Sequence, residues 1–287
     1  MLLKLKEWLV AINPEPNCLE KTLTFLYDIF YFVRVQKPVS ALFGPMYHRS
    51  QDLIELDITY ACNLKCYSCN RSCGLAPTDD HLSLEQVRRF IRESIDRNVG
   101  WKRIRLLGGE PTMHPQLPEL VQELKSYRAQ YCPDAMIEVV TNGVGSGCDE
   151  ILARLGTDIK VVNTSKKSKT NTFLGFNVAP RDLFLYNFAD YSCGCWVPEL
   201  CGINLGPYGY YCCGAGASID RVFGFNIGRK SLPERSDSLR DQMEVLCSYC
   251  IHFQTTRRRK ISHERISPSW QDALGKFKSV KPDSFYY

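Results

Sequence analysis

The chain has 287 residues, 44% of them apolar, and a formal net charge of +5. That is enough chain for one large domain, or one large and one small, around a real core, and too much for a disulfide-stapled miniprotein; the mild charge names no partner. Fourteen cysteines in an enzyme-sized chain, with Lys4, Lys6 and Glu7 directly after Met1–Leu3 in place of a signal-peptide pattern, read as metal ligands in a cytoplasmic protein.

Residues 1–50 read as a helical extension that turns irregular at Pro38, Gly44 and Pro45. Its run Leu23–Val35 is shorter than a membrane span and broken by Asp28, so no span is expected. It predicts a helix packing its aromatics on the rest of the fold or on a partner, with contact at a membrane surface as the alternative. Leu53–Tyr60 alternates Ile54, Leu56 and Ile58 with Glu55, Asp57 and Thr59, the period of a strand. After it comes a loop with Cys62, Cys66 and Cys69. Ser83 and Gln86 form a capping box, flanked by Leu82 and Val87, and open a helix to about Asn98. A strand at Arg103–Leu107, a helix at Leu117–Tyr127, a strand at Met136–Thr141, a short helix at Asp149–Leu155 and a strand at Ile159–Asn163 continue the alternation. That rhythm means parallel strands with helical crossovers, an α/β fold. Glu55, Asp57, Arg103, Arg105, Glu138 and Lys160 recur on alternate strand positions. Such a pattern predicts one sheet face on helices and the other lining a wet, ligand-holding lumen; strands edged by water are the alternative. Beyond residue 190 cysteine, glycine and tyrosine become dense. Ile203–Tyr211 reads as a hairpin turning near Gly206-Pro207, and a helix with Leu239, Met243 and Leu246 leads to Cys247-x2-Cys250. The basic run Arg257-Arg258-Arg259-Lys260 reads as a solvated face, so no nucleic-acid partner is expected.

A C-x3-C-x2-C loop offers three thiolates, one fewer than a four-cysteine cluster takes, which leaves one iron open. Zinc on the same loop would need a fourth ligand such as Cys73. Gly108-Gly109-Glu110-Pro111 follows the second strand, on the face where α/β barrels build sites. Two glycines there would let backbone approach a ligand closely, and a carboxylate beside them would accept hydrogen bonds from an ammonium group.

The two motifs together resemble the radical S-adenosylmethionine (SAM) enzymes, whose signature is C-x3-C-x2-C after the first barrel strand and GGE-P after the second. The resemblance covers about Leu53 to Cys250. One departure is Ser68, where the family often has an aromatic; here the aromatic is Tyr67. The resemblance implies a partial (β/α)6 barrel of parallel strands over residues 51–189. Cys62, Cys66 and Cys69 would hold a 4Fe-4S cluster whose fourth iron binds SAM. Glu110, with Gly108, Gly109 and Pro111, would take the SAM ammonium group. Thr141 and Asn142 match the family's TNG near the ribose, with a simple turn as the alternative, and Ser165 falls where the family often has a polar residue near the cofactor.

Residues 190–255 resemble the twitch module, a shortened SPASM extension: a small β-hairpin and helix unit holding one auxiliary 4Fe-4S cluster. The ligands carried over are Cys195, Cys212, Cys247 and Cys250, with Cys193 as substitute for Cys195 and structural zinc as the alternative. Strand alternation places Cys213 on the face opposite Cys212 and out of the site, and Cys201 reads as a buried apolar residue. Residues 256–287 form a tail with no readable structure. The expectation is an oxidoreductase that abstracts hydrogen from a small polar metabolite, sugar-like or aminocyclitol-like, with flavodoxin or ferredoxin as electron donor. Epimerisation would need a hydrogen donor such as Cys73 or Cys193. The alternatives are a maturase cross-linking or epimerising a peptide, and a non-catalytic metal scaffold.

Overall fold

The computed structural model describes residues 18–165, 175–254 and 263–277. The basic run at 257–260 lies outside the described residues, as do the ends of the extension and of the tail.

Three strand–helix steps and a fourth strand open the domain: β1 (Leu53–Thr59), α3 (Leu84–Asp96), β2 (Arg103–Gly108), α4 (Leu117–Tyr131), β3 (Met136–Thr141), α5 (Cys148–Ala153) and β4 (Lys160–Asn163). Before them lie α1 (Cys18–Arg34) and α2 (Lys37–Phe43). After them come α6 (Val197–Cys201), β5 (Ile203–Gly206), β6 (Gly209–Tyr211), α7 (Gly214–Phe223), α8 (Arg240–Leu246) and α9 (Pro268–Lys276). The sheet runs β4-β3-β2-β1-β5-β6. Its first five strands are parallel and only β6 is antiparallel, paired to β5. The α/β partial-barrel class is as read from the sequence. The expected hairpin is there, turning at Pro207-Tyr208, and its first strand hydrogen-bonds to β1, so it continues the barrel sheet directly.

Ile54, Leu56 and Ile58 are fully buried in one core with Val87 and Phe90 of α3 and Leu120, Val121 and Leu124 of α4. The capping box is formed as expected: Ser83 accepts from the Gln86 N–H, and Gln86 Oε1 accepts from the Ser83 N–H.

The opposite face of the sheet carries a row of charges in register, Asn204–Glu55–Arg105–Glu138–Lys160. Arg105 lies 3.4 Å from Glu55 and 2.7 Å from Glu138, which in turn lies 2.8 Å from Lys160. Arg71, in the loop after the third cysteine, closes the row at 2.8 Å from Glu55 and 3.1 Å from Asp57. This corrects the reading of these positions as a lumen awaiting a polar ligand. Signs alternate across the sheet, and the charges are engaged with one another.

The extension helix is split in its burial. Tyr31 and Val35 are buried and Phe32 packs edge-on against Tyr186, while Phe25, Leu26, Ile29, Phe30 and Val33 are exposed. Among the described residues no helix is long and apolar enough to cross a membrane.

Candidate active site

The turn after β2 is shaped by the strand beside it. Gly108 has φ +129°, and a Cβ there would stand 2.2 Å from the Thr59 carbonyl oxygen; at Gly109 it would stand 2.1 Å from that of Ala61. The two glycines are needed because backbone meets backbone. The Gly109 N–H donates to Thr59 O at 2.6 Å and the Glu110 N–H to Ala61 O at 2.8 Å. The glycines zip the end of β2 to the residues leading into Cys62, and so place the cysteine loop.

Glu110 is fully buried. Its Oε1 accepts from Thr112 N (3.1 Å), Thr112 Oγ1 (2.8 Å) and Thr141 Oγ1 (2.7 Å); its Oε2 accepts from Asn142 N (2.7 Å). The carboxylate thus ties the end of β2 to the end of β3. Pro111 is buried and opens a short 3-10 turn that Glu110 caps. Asn142 then reaches the cysteine loop: its Nδ2 donates to Asn63 Oδ1 at 2.8 Å and lies 4.0 Å from Cys62 Sγ. Ser165, at the end of β4, is exposed and bonded to Asn163 Oδ1, whose carboxamide in turn lies where a Cβ on Gly143 would fall. Cys62, Glu110, Thr141 and Asn142 therefore form one bonded constellation, with Ser165 beyond it.

Cys62, Cys66 and Cys69 are all partly exposed. Burial pushes the Cys62 thiol up to about 11, and the neighbouring Cys69, Glu110 and Cys66 add to that push. A group of like charges in mutual reach is held more easily once a cation shares it. Ser68, between the second and third cysteines, has φ +53°. Its N–H donates to both oxygens of Glu264, at 3.0 Å each. The C-terminal segment thus reaches back over the cluster loop, a contact with no signal in the sequence.

The second set of cysteines surrounds a cavity lined by Cys195, Cys212, Cys213, Cys247, Cys250 and His252 among apolar neighbours. Cys193 is absent from that lining; its thiol bonds to Asp190 Oδ2 at 3.4 Å. Cys201 lies near Glu55 and the arginines of the sheet row. Cys213 is inside the cavity, which corrects the alternation argument. β6 ends at Tyr211, so Cys213 is no longer on a strand; it is the N-cap of α7. His252, which sequence reasoning passed over, has Nδ1 at 3.3 Å from Cys250 Sγ, and burial, with Arg71 nearby, depresses its pKa to about 4. Among the described residues no three His, Cys, Asp or Glu side chains converge on the position of a single metal ion. Thiolates are the ligands that iron–sulfur clusters take, and the chemistry of both donor sets suits one.

Arg71 is the link between the two sets. It lies two residues beyond Cys69, and a Cβ on Gly214 would stand 2.1 Å from its Nη2, so its guanidinium abuts the residue next to Cys213. Its one readable signal was a position between Cys69 and Cys73.

Residues 56–168 match the Radical SAM superfamily. Among curated proteins the chain is 33% identical over 99 residues to a GTP 3',8-cyclase of Nautilia profundicola, covering 34% of this chain and 29% of that one. It is 28% identical over 128 residues to a probable GTP 3',8-cyclase of Pyrococcus horikoshii, covering 44% and 38%. It is 30% identical over 113 residues to molybdenum cofactor biosynthesis protein 1 of Bos taurus, covering 37% and 16%. The match spans less than two-fifths of each relative's length. Among solved structures, BtrN in complex with AdoMet and 2-DOIA is similar at a TM-score of 0.39 and 13% identity, over 82% of this chain and 89% of that one. Streptococcus suis SuiB bound to S-adenosylmethionine is similar at 0.29 and 19%, over 53% and 30%.

Proposed function

We propose that this chain, which belongs to the radical SAM superfamily through residues 56–168, is an oxidoreductase that abstracts hydrogen from a small polar metabolite. The observation that carries the reading is the bonded constellation of Cys62, Asn142, Thr141 and Glu110 at the C-terminal ends of β1 to β3. Cys62, Cys66 and Cys69 would hold a 4Fe-4S cluster and leave one iron for SAM. When bound, cluster and SAM supply a one-electron cleavage that yields methionine and a 5′-deoxyadenosyl radical.

The chain's own residues orient the cofactor. Glu110, pinned by four donors, would keep lone pairs toward an ammonium group, with Gly108 and Gly109 beside it in the chain. Thr141, Asn142 and Ser165 would face the ribose side.

Support for a polar substrate comes from the ends of β1 and β5. Tyr60 OH is buried without a hydrogen-bond partner, and Asp57 Oδ2 and the Asn204 carboxamide, which interact with each other, make no other well-formed bond. They gather around Gly206, whose Cβ would lie 3.3 Å from Tyr60 OH and 3.7 Å from Asn204 Oδ1. Such atoms are costly to leave unpaired, and a hydroxyl-bearing ligand entering from the ends of β1 and β5 would pair them.

The auxiliary cavity would hold a second 4Fe-4S cluster that takes up or relays the substrate radical's electron, giving net dehydrogenation; flavodoxin or ferredoxin suits as external donor. Epimerisation is less well supported. Cys73 is buried and engages the Arg71 carbonyl and Cys69, and Cys193 engages Asp190, so both thiols already have partners.

The test is anaerobic reconstitution. The protein should hold about eight irons in two four-iron clusters and release 5′-deoxyadenosine from SAM with dithionite. Replacing Cys62, Cys66 and Cys69 by alanine should abolish that release and leave about four irons. Undiminished release from the triple variant would overturn the assignment.

A further inference from the structure

The two adjacent cysteines at the start of α7 are not equivalent. Both sulfurs point into the same cavity: a Cβ on Gly216 would lie 3.2 Å from Cys212 Sγ and 3.6 Å from Cys213 Sγ. A four-thiolate cluster has room for one of them, since Cys195, Cys247 and Cys250 supply the other three. The carry-over from the module's pattern names Cys212. The structure assigns the role differently, and we propose that Cys213 is the fourth ligand of the auxiliary cluster, with Cys212 a buried neighbour.

The inference rests on the proposed auxiliary site and deepens it. A cluster thiolate in an apolar cavity is a buried anion, and it is held where donors and positive charge converge on the sulfur. Cys213 meets both conditions. It is the N-cap of a ten-residue helix, where the macrodipole favours negative charge. Its Sγ accepts the Gly216 N–H at 3.3 Å. The Arg71 guanidinium lies against Gly214, the next residue. Cys213 lies in electrostatic reach of Cys195, Cys247 and Cys250, and Cys212 of Cys195 and Cys247. The Cys212 N–H donates to Gln242 Oε1 at 2.8 Å. The turn agrees: the hairpin reverses at Pro207-Tyr208, one residue later than the sequence reading at Gly206-Pro207, and shifting the pattern by one moves the ligand from 212 to 213.

The assignment places Arg71 between the two metal sites, two residues from Cys69 on one side and in contact with Gly214 on the other.

The test uses the full chain in the Cys62, Cys66 and Cys69 alanine background, where only the auxiliary site remains. Reconstituted with iron and sulfide, the parent should hold about four irons and show the EPR signal of a reduced four-iron cluster. Cys212→Ser should keep both. Cys213→Ser should lose most of the iron or change the signal. Serine keeps the helix cap, since it is itself a preferred N-cap, and a circular dichroism melt checks that the variant is folded. Retention by Cys213→Ser with loss by Cys212→Ser overturns the proposal, as does equal behaviour of the two. A parent that holds no iron overturns the auxiliary cluster and this assignment with it, while the SAM cleavage test of the first site stands separately.

Discussion

Glu110 shows how one side chain can organise a site before any cofactor arrives. Both of its oxygens face a backbone N–H, Thr112 at Oε1 and Asn142 at Oε2. In Glu110→Gln, whichever way the amide is turned, an NH2 group meets one of those N–H donors. The loss should be about 2–3 kcal/mol, the size of a charged hydrogen bond replaced by a clash of donors. Thr141→Ala removes a single donor and should cost about 1 kcal/mol. Equilibrium urea unfolding of the three proteins measures both; a Glu110→Gln protein as stable as the parent would show that the carboxylate serves the ligand alone. His114 is a second residue with a readable consequence. It is enclosed beside His81, with Nε2 at 3.0 Å from the Leu82 carbonyl oxygen and Nδ1 accepting from the Gln116 N–H. Burial drops its pKa to about 4 from an ordinary 6.5. A base whose folded pKa is depressed contributes stability that is whole above pH 6.5 and lost as pH falls through 4, here about 2 kcal/mol after screening. Unfolding free energies between pH 7 and 4 should fall less steeply in His114→Asn than in the parent.

At the level of elements, local chemistry was legible wherever a signal and its consequence lie within a few residues. The box at Ser83 and Gln86 and the alternation in Leu53–Thr59 formed where they were read, and the hairpin at Ile203–Tyr211 formed with its turn one residue later. Ser83 caps α3 through a 3.1 Å bond from the Gln86 N–H, and the Gln86 side chain also donates to the Pro207 carbonyl in the hairpin turn. Ser83→Ala should cost about 1 kcal/mol. Gln86→Ala should cost more, because it removes the return bond of the box and the tie to the hairpin together. Thermal melts of the two variants settle the order, and the reverse order would mean that the hairpin turn is held elsewhere. Reading failed where an element stopped one residue sooner than its pattern. Cys213 was excluded by a strand rule that no longer applies past Tyr211. The backbone that crowds Gly108 and Gly109, at Thr59 and at Ala61, lies more than forty residues earlier and left no local signal.

At the scale of the whole molecule, the positions of the charges were legible and their partners were not. Period-two alternation exposes Glu55, Arg105, Glu138 and Lys160 as one face of four strands, but register between strands is decided by the tertiary fold, and only register reveals that the signs alternate. The contact of Glu264 with Ser68 and the placing of Arg71 beside Gly214 were beyond reach for the same reason. The row itself can be tested against the discarded reading. The Glu138 side chain is 3% exposed and Lys160 56% exposed. Burial works to raise the Glu138 carboxyl, yet Lys160 and Arg105 outweigh it and hold it below its usual range. Glu138→Gln should therefore cost about 2–3 kcal/mol, since it leaves Arg105 with only the longer contact to Glu55. Lys160→Gln, at a solvent-facing end of the row, should cost less than about 1 kcal/mol. Raising salt to about 1 M shortens the screening length to about 3 Å. It should shrink the Lys160 effect and leave most of the Glu138 effect, because the buried centre of the row excludes the ions. Small, equally salt-sensitive effects at both positions would mean that water fills this face of the sheet, and the row would again become a candidate lining for substrate.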